Sequence, residues 1–386
     1  MTDAYSIVGL YGDPAALVAD PGYLDAAREE IGLNCVILGG PFNLSPDVRA
    51  QNPFPEDKAP LAPGLNLTDD DTTLRRAIEE AHRRDIQVWG IISAYWAGAE
   101  HAPDLMARDL SGRRMDEFPR LPYAHEQATH TFCPNNERVN AWFEAALVDI
   151  ATRYDIQGYA LTHFRFCHPA FFQQMLACGC SACEQAAAEL GYDFSRMKAA
   201  VLETVAALQR LPARSLEQAA ALGLGFIDLL QMLGRDGSGV ADWFNFRADC
   251  ISRNLQRFCA AVKRVVGPKD FAFGIDAHVP SFALLVGHRY ADLAATCDHI
   301  LPLLRHIAIH YLDNFASFAS LLTQWAKGLS ERDALWLVYR LFGYDRFALP
   351  TDIASLHLDD PYGAAERELG ALGDIVAHEL HKARLY

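Results

Sequence analysis

Short apolar runs separated by longer stretches of helical periodicity recur along the whole chain. Residues 6–12, 34–41, 87–94, 155–161, 271–276, 298–304, 334–340 and 374–379 read as eight strands. Several are apolar without alternation, as in Cys35, Val36, Ile37 and Leu38, which is the pattern of a parallel strand covered on both faces. Residues 21–32, 72–84 and 140–154 read as helices, and Asp69, Asp70 and Asp71 offer the second of them an N-cap and an acidic first turn. Strands alternating with helices predict an α/β chain closed as a (β/α)8 TIM barrel, a single domain over 1–386. An open doubly wound sheet competes with this, but no G-x-G-x-x-G follows the first strand.

The alternation is interrupted in three places. Residues 42–66 and the stretch from Tyr95 to about His130 are too long for tight connections and fit a binding face. Residues 184–266 are nearly all helical in pattern, with a glycine-rich break at 234–239, so part of this stretch is expected to be an inserted helical segment over or beside the strand ends.

A length of 386 residues suits one barrel with insertions, and 51% hydrophobic content is ample for its core. A net charge of −15 repels nucleic acid and anionic membrane surfaces, so neither is expected as a partner. There is no run of about 18 apolar residues to span a bilayer. Met1 to Tyr5 show no basic segment leading an apolar run, and nine cysteines are an odd count for a disulfide framework. The expectation is a cytoplasmic, reduced protein, with homo-oligomerisation left open.

Four of the cysteines change the picture. Cys178, Cys180 and Cys183 form C-x-C-x-x-C, and Cys133 stands upstream in Cys133-Pro134-Asn135. Four thiolates are a tetrahedral, closed shell for Zn²⁺, which would hold structure and leave no position for chemistry. The competing reading is four ordinary buried thiols. No organic cofactor is expected.

The Cys-Pro-Asn segment leading a helix, a strand after it, and C-x-C-x-x-C leading a helix that ends near Leu190 and Gly191 resemble the zinc-cluster β-galactosidases of glycoside hydrolase family 42. The same features resemble a looser set of glycosidase-like (β/α)8 barrels. Trp243, Phe246 and Arg247 are similar to the W-x-x-F-R helix of that set, and residues 274–281 with Val286 and Gly287 to its fifth strand and following loop. The resemblance implies a barrel with a structural zinc loop after strand four and a small carbohydrate as substrate. It fails at the catalytic positions. The family's Asn-Glu pair after strand four is replaced by Thr162 and His163, and its strand-seven Glu by Arg340; the related barrels' L-D-x-x-R becomes Leu161, Thr162, His163, Phe164, Arg165.

Barrel enzymes react at the C-terminal ends of their strands. That rule selects Tyr95 and Trp96 after strand three, His163 and Arg165 after strand four, Asp276 and His278 after strand five, and Arg305, His310, Tyr311 and Asp313 after strand six. It adds Arg340 after strand seven and His378, Glu379 and His381 after strand eight. Glycosidases need two carboxyl groups, and Asp276 and Glu379 are the pair on offer, with His163 as a further acid/base candidate. Tyr95, Trp96, Arg165, His278, Tyr311 and Arg340 would line the substrate. Aromatic faces stack on sugar C–H faces, and guanidinium groups favour acidic sugars. Structural ion pairs of the arginines with Asp276 and Glu379 are the competing reading. Asp276 and His278 with His378 and His381 could also hold a catalytic divalent cation. The expectation is a glycoside hydrolase; a lyase or isomerase using His/Arg proton transfer, and an inactive sugar-binding barrel, are the alternatives.

Overall fold

The computed structural model describes residues 7–53, 70–96, 102–125, 131–170, 172, 176–267, 271–304, 306, 308–360 and 369–385. Six strands, β1 (Gly9–Gly12), β2 (Cys35–Leu38), β3 (Gln87–Ser93), β4 (Gly158–Thr162), β5 (Ala272–Ala277) and β6 (His299–Pro302), pair in sequence order as one parallel sheet. Each is followed by helical crossover, as parallel pairing requires.

The sheet is curled into a half-barrel. The Tyr11 hydroxyl, on β1, donates to Asp276 Oδ1, on β5, over 2.7 Å, whereas a flat sheet would hold these strands about 19 Å apart. Two glycines make room for large rings on the sheet. Trp89 pairs in register with Gly158, and His299 with Gly274. A Cβ on Gly158 would lie 2.7 Å from the Trp89 ring, and one on Gly274 2.3 Å from the His299 ring. With no side chain there, the two large rings lean inward and stack at 4.0 Å between centroids. Cys35, Ile37, Trp89 and Ala160 form the small inner core, separate from the larger one under the helices.

The helices are α1 (Pro14–Ala19), α2 (Gly22–Ile31), α3 (Pro46–Ala50), α4 (Thr72–His82), α5 (Glu137–Arg153), α6 (Ser181–Leu190), α7 (Phe194–Leu208), α8 (Ala213–Ala221), α9 (Phe226–Leu233), α10 (Gly237–Val266), α11 (Pro280–Ala283), α12 (Tyr290–Thr296), α13 (Asp313–Trp325), α14 (Glu331–Phe342) and α15 (Leu372–Ala383). The long α10 packs on α5 and α7 and returns the chain to β5. The expected helical stretch is therefore present. Its α9 is fixed by Phe226 against Phe172, Phe318 and Phe342, which ties it to α13 and α14.

The expected strands seven and eight are corrected. Residues 334–340 lie within α14 and 374–379 within α15. The local chemistry explains it. Ser330 caps α14 by accepting from Asp333 N, Gly343 ends it with φ 80°, and Ala334, Leu335, Leu337, Val338, Leu341 and Phe342 share its buried side. In α15, Leu372, Ile375 and Glu379 recur at helical spacing, with Asp374 in the first turn and His381 and Lys382 in the last. Among the described residues the sheet has six strands and the barrel is not closed by strand pairing.

Candidate functional site

The four cysteines meet. Cys133 stands just before α5, Cys180 caps α6, and Cys183 lies in the first turn of α6. The Sγ of Cys133 is 3.4 Å from that of Cys180 and 3.5 Å from that of Cys183. A disulfide would need about 2.05 Å, and a tetrahedral zinc–thiolate site places sulfurs roughly 3.8 Å apart. Three N–H groups point at the sulfurs: Arg108 N to Cys178 at 3.3 Å, Asn135 N to Cys133 at 3.4 Å and Asn135 Nδ2 to Cys183 at 3.3 Å. Donors aimed at sulfur suit thiolates. Gly179 makes the loop possible, since a Cβ there would come within 2.5 Å of the Asp109 carbonyl oxygen.

A buried guanidinium completes the argument for negative charge. Arg247, in α10, is fully buried, gives one hydrogen bond to the Leu285 carbonyl at 2.9 Å and lies over the Phe166 ring. Its Nε and Nη2 have no hydrogen-bond partner and it forms no ion pair with a described carboxylate. Burial lowers it to about 10, and the nearby sulfurs of Cys167, Cys183, Cys250 and Cys178 act the other way. A divalent ion with four thiolates carries two net negative charges, which such a guanidinium offsets. The residues fit a metal ion. Hydroxyl and amide groups brace the site: Asn140 Nδ2 and Asn254 Nδ2 both donate to the Pro134 carbonyl, beside Cys133.

At the C-terminal ends of the strands the structure assembles a second group. Asp276 is 3% exposed and accepts from the half-exposed Tyr11. Burial pushes its carboxyl up to about 7, against the Tyr11 and Thr162 hydroxyls, which lower it. On the adjoining strand ends, the Ser93 hydroxyl meets His163 Nδ1 at 3.1 Å, and the His163 ring stacks on Trp96 at 4.7 Å. His163 has φ 52°, a left-handed conformation uncommon for a residue with a Cβ and concentrated at functional sites.

A third group was not anticipated as a set. His168, His278 and His310 are all buried, and their potential ligand atoms lie within 4.8 Å of one another. Burial, first, and then the neighbouring His310, His168, Arg165 and His288 hold His278 well below the ordinary histidine range. In sequence the three are far apart, so no spacing rule links them. The signal available was that each follows one of three consecutive strands.

The remaining candidates fall elsewhere. Tyr95 is core: its hydroxyl donates to Asn140 Oδ1 and accepts from Asn254 Nδ2. Glu379 is fully buried on α15, where it accepts from Ser281 N and Oγ and pairs with Lys382 at 2.9 Å. It thus has its own partners, separate from those of Asp276. Tyr311 is buried, its hydroxyl without a hydrogen-bond partner, and its proton is held by burial and by the Glu379 charge. Arg340, on α14, bonds the Ala220 carbonyl and Asp345. His378, on α15, contacts Arg346, and the group of described residues that gathers metal-ligating atoms around His278 is His168, His278 and His310. Asp313 receives two bonds from His125. Arg305 lies outside the described residues, as do Asp69 and parts of both long loops, at 54–69 and 97–101 with 126–130. No helix among the described residues is long and apolar enough to cross a membrane.

No family model matches the chain, and no curated protein matches it. Solved structures of glycoside hydrolases do. The glycoside hydrolase domain of PgaB (BpsB) from Bordetella bronchiseptica is 9% identical over 91% of this chain and 96% of its own, with a TM-score of 0.46. The α-L-fucosidase isoenzyme 2 from Paenibacillus thiaminolyticus is 13% identical over 75% of this chain, with a TM-score of 0.39. The β-galactosidase from the psychrophilic Marinomonas ef1 is 10% identical over 76% of this chain, with a TM-score of 0.40. This chain spans 34% of the fucosidase and 40% of the β-galactosidase. Likeness of this degree carries no argument about the reaction.

Proposed function

We propose that this chain is a carbohydrate-active enzyme, most simply a glycoside hydrolase acting on a small glycoside, acidic ones included. The observation that carries the reading is the buried Asp276 at the strand ends, held by Tyr11 from across the half-barrel. In this reading Asp276 exchanges a proton with the glycosidic oxygen. His163, oriented by Ser93 and stacked on Trp96, lines the sugar, and Arg165 supplies positive charge. The four-cysteine cluster holds zinc as a structural ion, through Cys133, Cys178, Cys180 and Cys183, and keeps the loop after β4 in place for this site. The family 42 resemblance supports the zinc and the substrate class, and its mechanism is not carried over.

A second reading is favoured by one observation: Glu379 has partners of its own, and hydrolysis needs a second carboxyl beside Asp276. A lyase or isomerase needs only a base and an electrostatic stabiliser, the parts His163 and Arg165 could play. Incubation with neutral and acidic oligosaccharides in ¹⁸O-water, beside Asp276→Asn, tests both. One heavy oxygen in the product, lost in the variant, is the hydrolytic outcome. Conversion without incorporation selects elimination or isomerisation, and binding without conversion selects a sugar-binding barrel.

A further inference from the structure

Three histidines from three successive strand–helix connections converge on one buried point. His168 follows β4, His278 directly follows β5, and His310 lies in the π-helical turn Ala308–Leu312 after β6. Each is at most 3% exposed. His278 Nε2 is 3.0 Å from His310 Nδ1, and two imidazole nitrogens on one tetrahedral zinc are roughly 3.3 Å apart. The rings are splayed and do not stack. Those of His278 and His310 cross at 85°, and the His168 ring centre is 5.5 and 5.8 Å from theirs.

A hydrogen bond between His278 and His310 accounts for one nitrogen of each. The third imidazole, His168, lies beside this pair, with one nitrogen of each ring within 4.8 Å of the others. Gathering three buried imidazoles is costly, and a shared ion would give the convergence a reason. The supports are those of a built site. A fourth histidine, His288, accepts from His278 N at 3.0 Å and has its other nitrogen 3.0 Å from the Phe164 carbonyl oxygen. Tyr290 Oη donates to the His278 carbonyl and Asn314 Nδ2 to the His310 carbonyl, both over 2.9 Å. These bonds hold the backbone that carries His278 and His310 in place. Ligation by His168 Nε2 would put the ring proton on Nδ1 and so give up the bond that Nδ1 accepts from Ala170 N at 3.2 Å.

We propose that His168, His278 and His310 form a second metal site, a three-imidazole centre for Zn²⁺ or a similar borderline divalent ion. It differs from the cysteine cluster in kind. Three neutral ligands leave a coordination position open, and Arg165 nearby favours an anion there, either hydroxide or a substrate carboxylate. The site lies on the same end of the sheet as Asp276, and it stands whether or not the chain hydrolyses glycosides.

Cobalt(II) loading of the chelator-stripped full chain tests it without any substrate. Two cobalt ions per chain are expected, one with thiolate-to-cobalt charge-transfer absorption and one with ligand-field bands alone. His278→Ala should lose one ion and keep the charge-transfer band, and Cys180→Ser should lose that band and keep the other ion. A wild-type chain that binds cobalt only with the thiolate band, or a His278→Ala chain that still binds two ions, overturns the proposal. If His278→Ala does not fold, His168→Gln is read in its place, with X-ray absorption of the loaded wild type; a nitrogen/oxygen shell for the second ion is expected, and a sulfur-only signal overturns it.

Discussion

Tyr11 and Asp276 are separated by most of the chain and by three intervening strands, yet their side chains share a 2.7 Å hydrogen bond at the rim of the half-barrel. The bond belongs both to the fold and to the candidate site. Tyr11→Phe removes the donor and leaves a buried carboxyl oxygen short of a partner. We expect a loss of about 1–3 kcal/mol in denaturant unfolding, together with lower turnover on any substrate that Asp276 serves. Asp276→Asn, which keeps an acceptor for Tyr11, should lose turnover by more than its loss of stability explains.

The cysteine cluster predicts one tightly held zinc ion with a folding role. Elemental analysis should find one ion fewer in Cys180→Ser than in the native chain, and a strong chelator should lower the melting temperature. Arg247→Met tests the charge argument separately: it keeps most of the side-chain volume and removes a buried cation close to the sulfurs. Weaker zinc retention in a competition titration is expected, and unchanged retention would count against thiolate charge there.

Gly274 is where His299 leans over β5. Gly274→Val places carbon where the imidazole lies and should destabilise by about 1–3 kcal/mol or more. The loss should shrink in Gly274→Val combined with His299→Ala, because the clash and its partner then disappear together; a double-mutant cycle measures the coupling.

Burial lowers His299 to about 4. An unfolded histidine titrates near 6.5, so between these values the unfolded state binds the extra proton and stability rises with pH. The full contribution is present above about 6.5 and is lost as pH falls toward 4, roughly 3 kcal/mol at most. Denaturant midpoints between pH 4.5 and 7 should fall less steeply with acid in His299→Phe, which keeps an aromatic ring against Trp89.

Glu379 offers a contrast with Asp276. Its charge is matched by Lys382 and by two donors from Ser281, so Glu379→Gln weakens a pair whose lysine still reaches solvent. Destabilisation of about 1–3 kcal/mol is expected, read by thermal unfolding.

Much of this was legible in the residue order. The first six strands fall where apolar runs place them, and β2 to β5 do so because a strand covered on both faces must be apolar along its length. The cysteine cluster was legible too, since three of its four members lie within six residues. The last two expected strands were misread for a physical reason: apolar runs of strand length also occur inside buried helices, and periodicity alone does not separate them. In α14 the decisive signals were the Ser330 cap and Gly343.

By itself, then, the sequence determined the alternation of strand and helix, the acidic net charge, and a thiol-rich loop suited to a metal. Those properties depend on local preference, composition and short spacing. Tertiary structure alone decided that Asp276 faces Tyr11 and not Glu379, that Arg247 lies buried beside the cysteines, and that His168, His278 and His310 meet. The curl of a sheet and the packing of its helices set those distances. They join residues that no local rule connects.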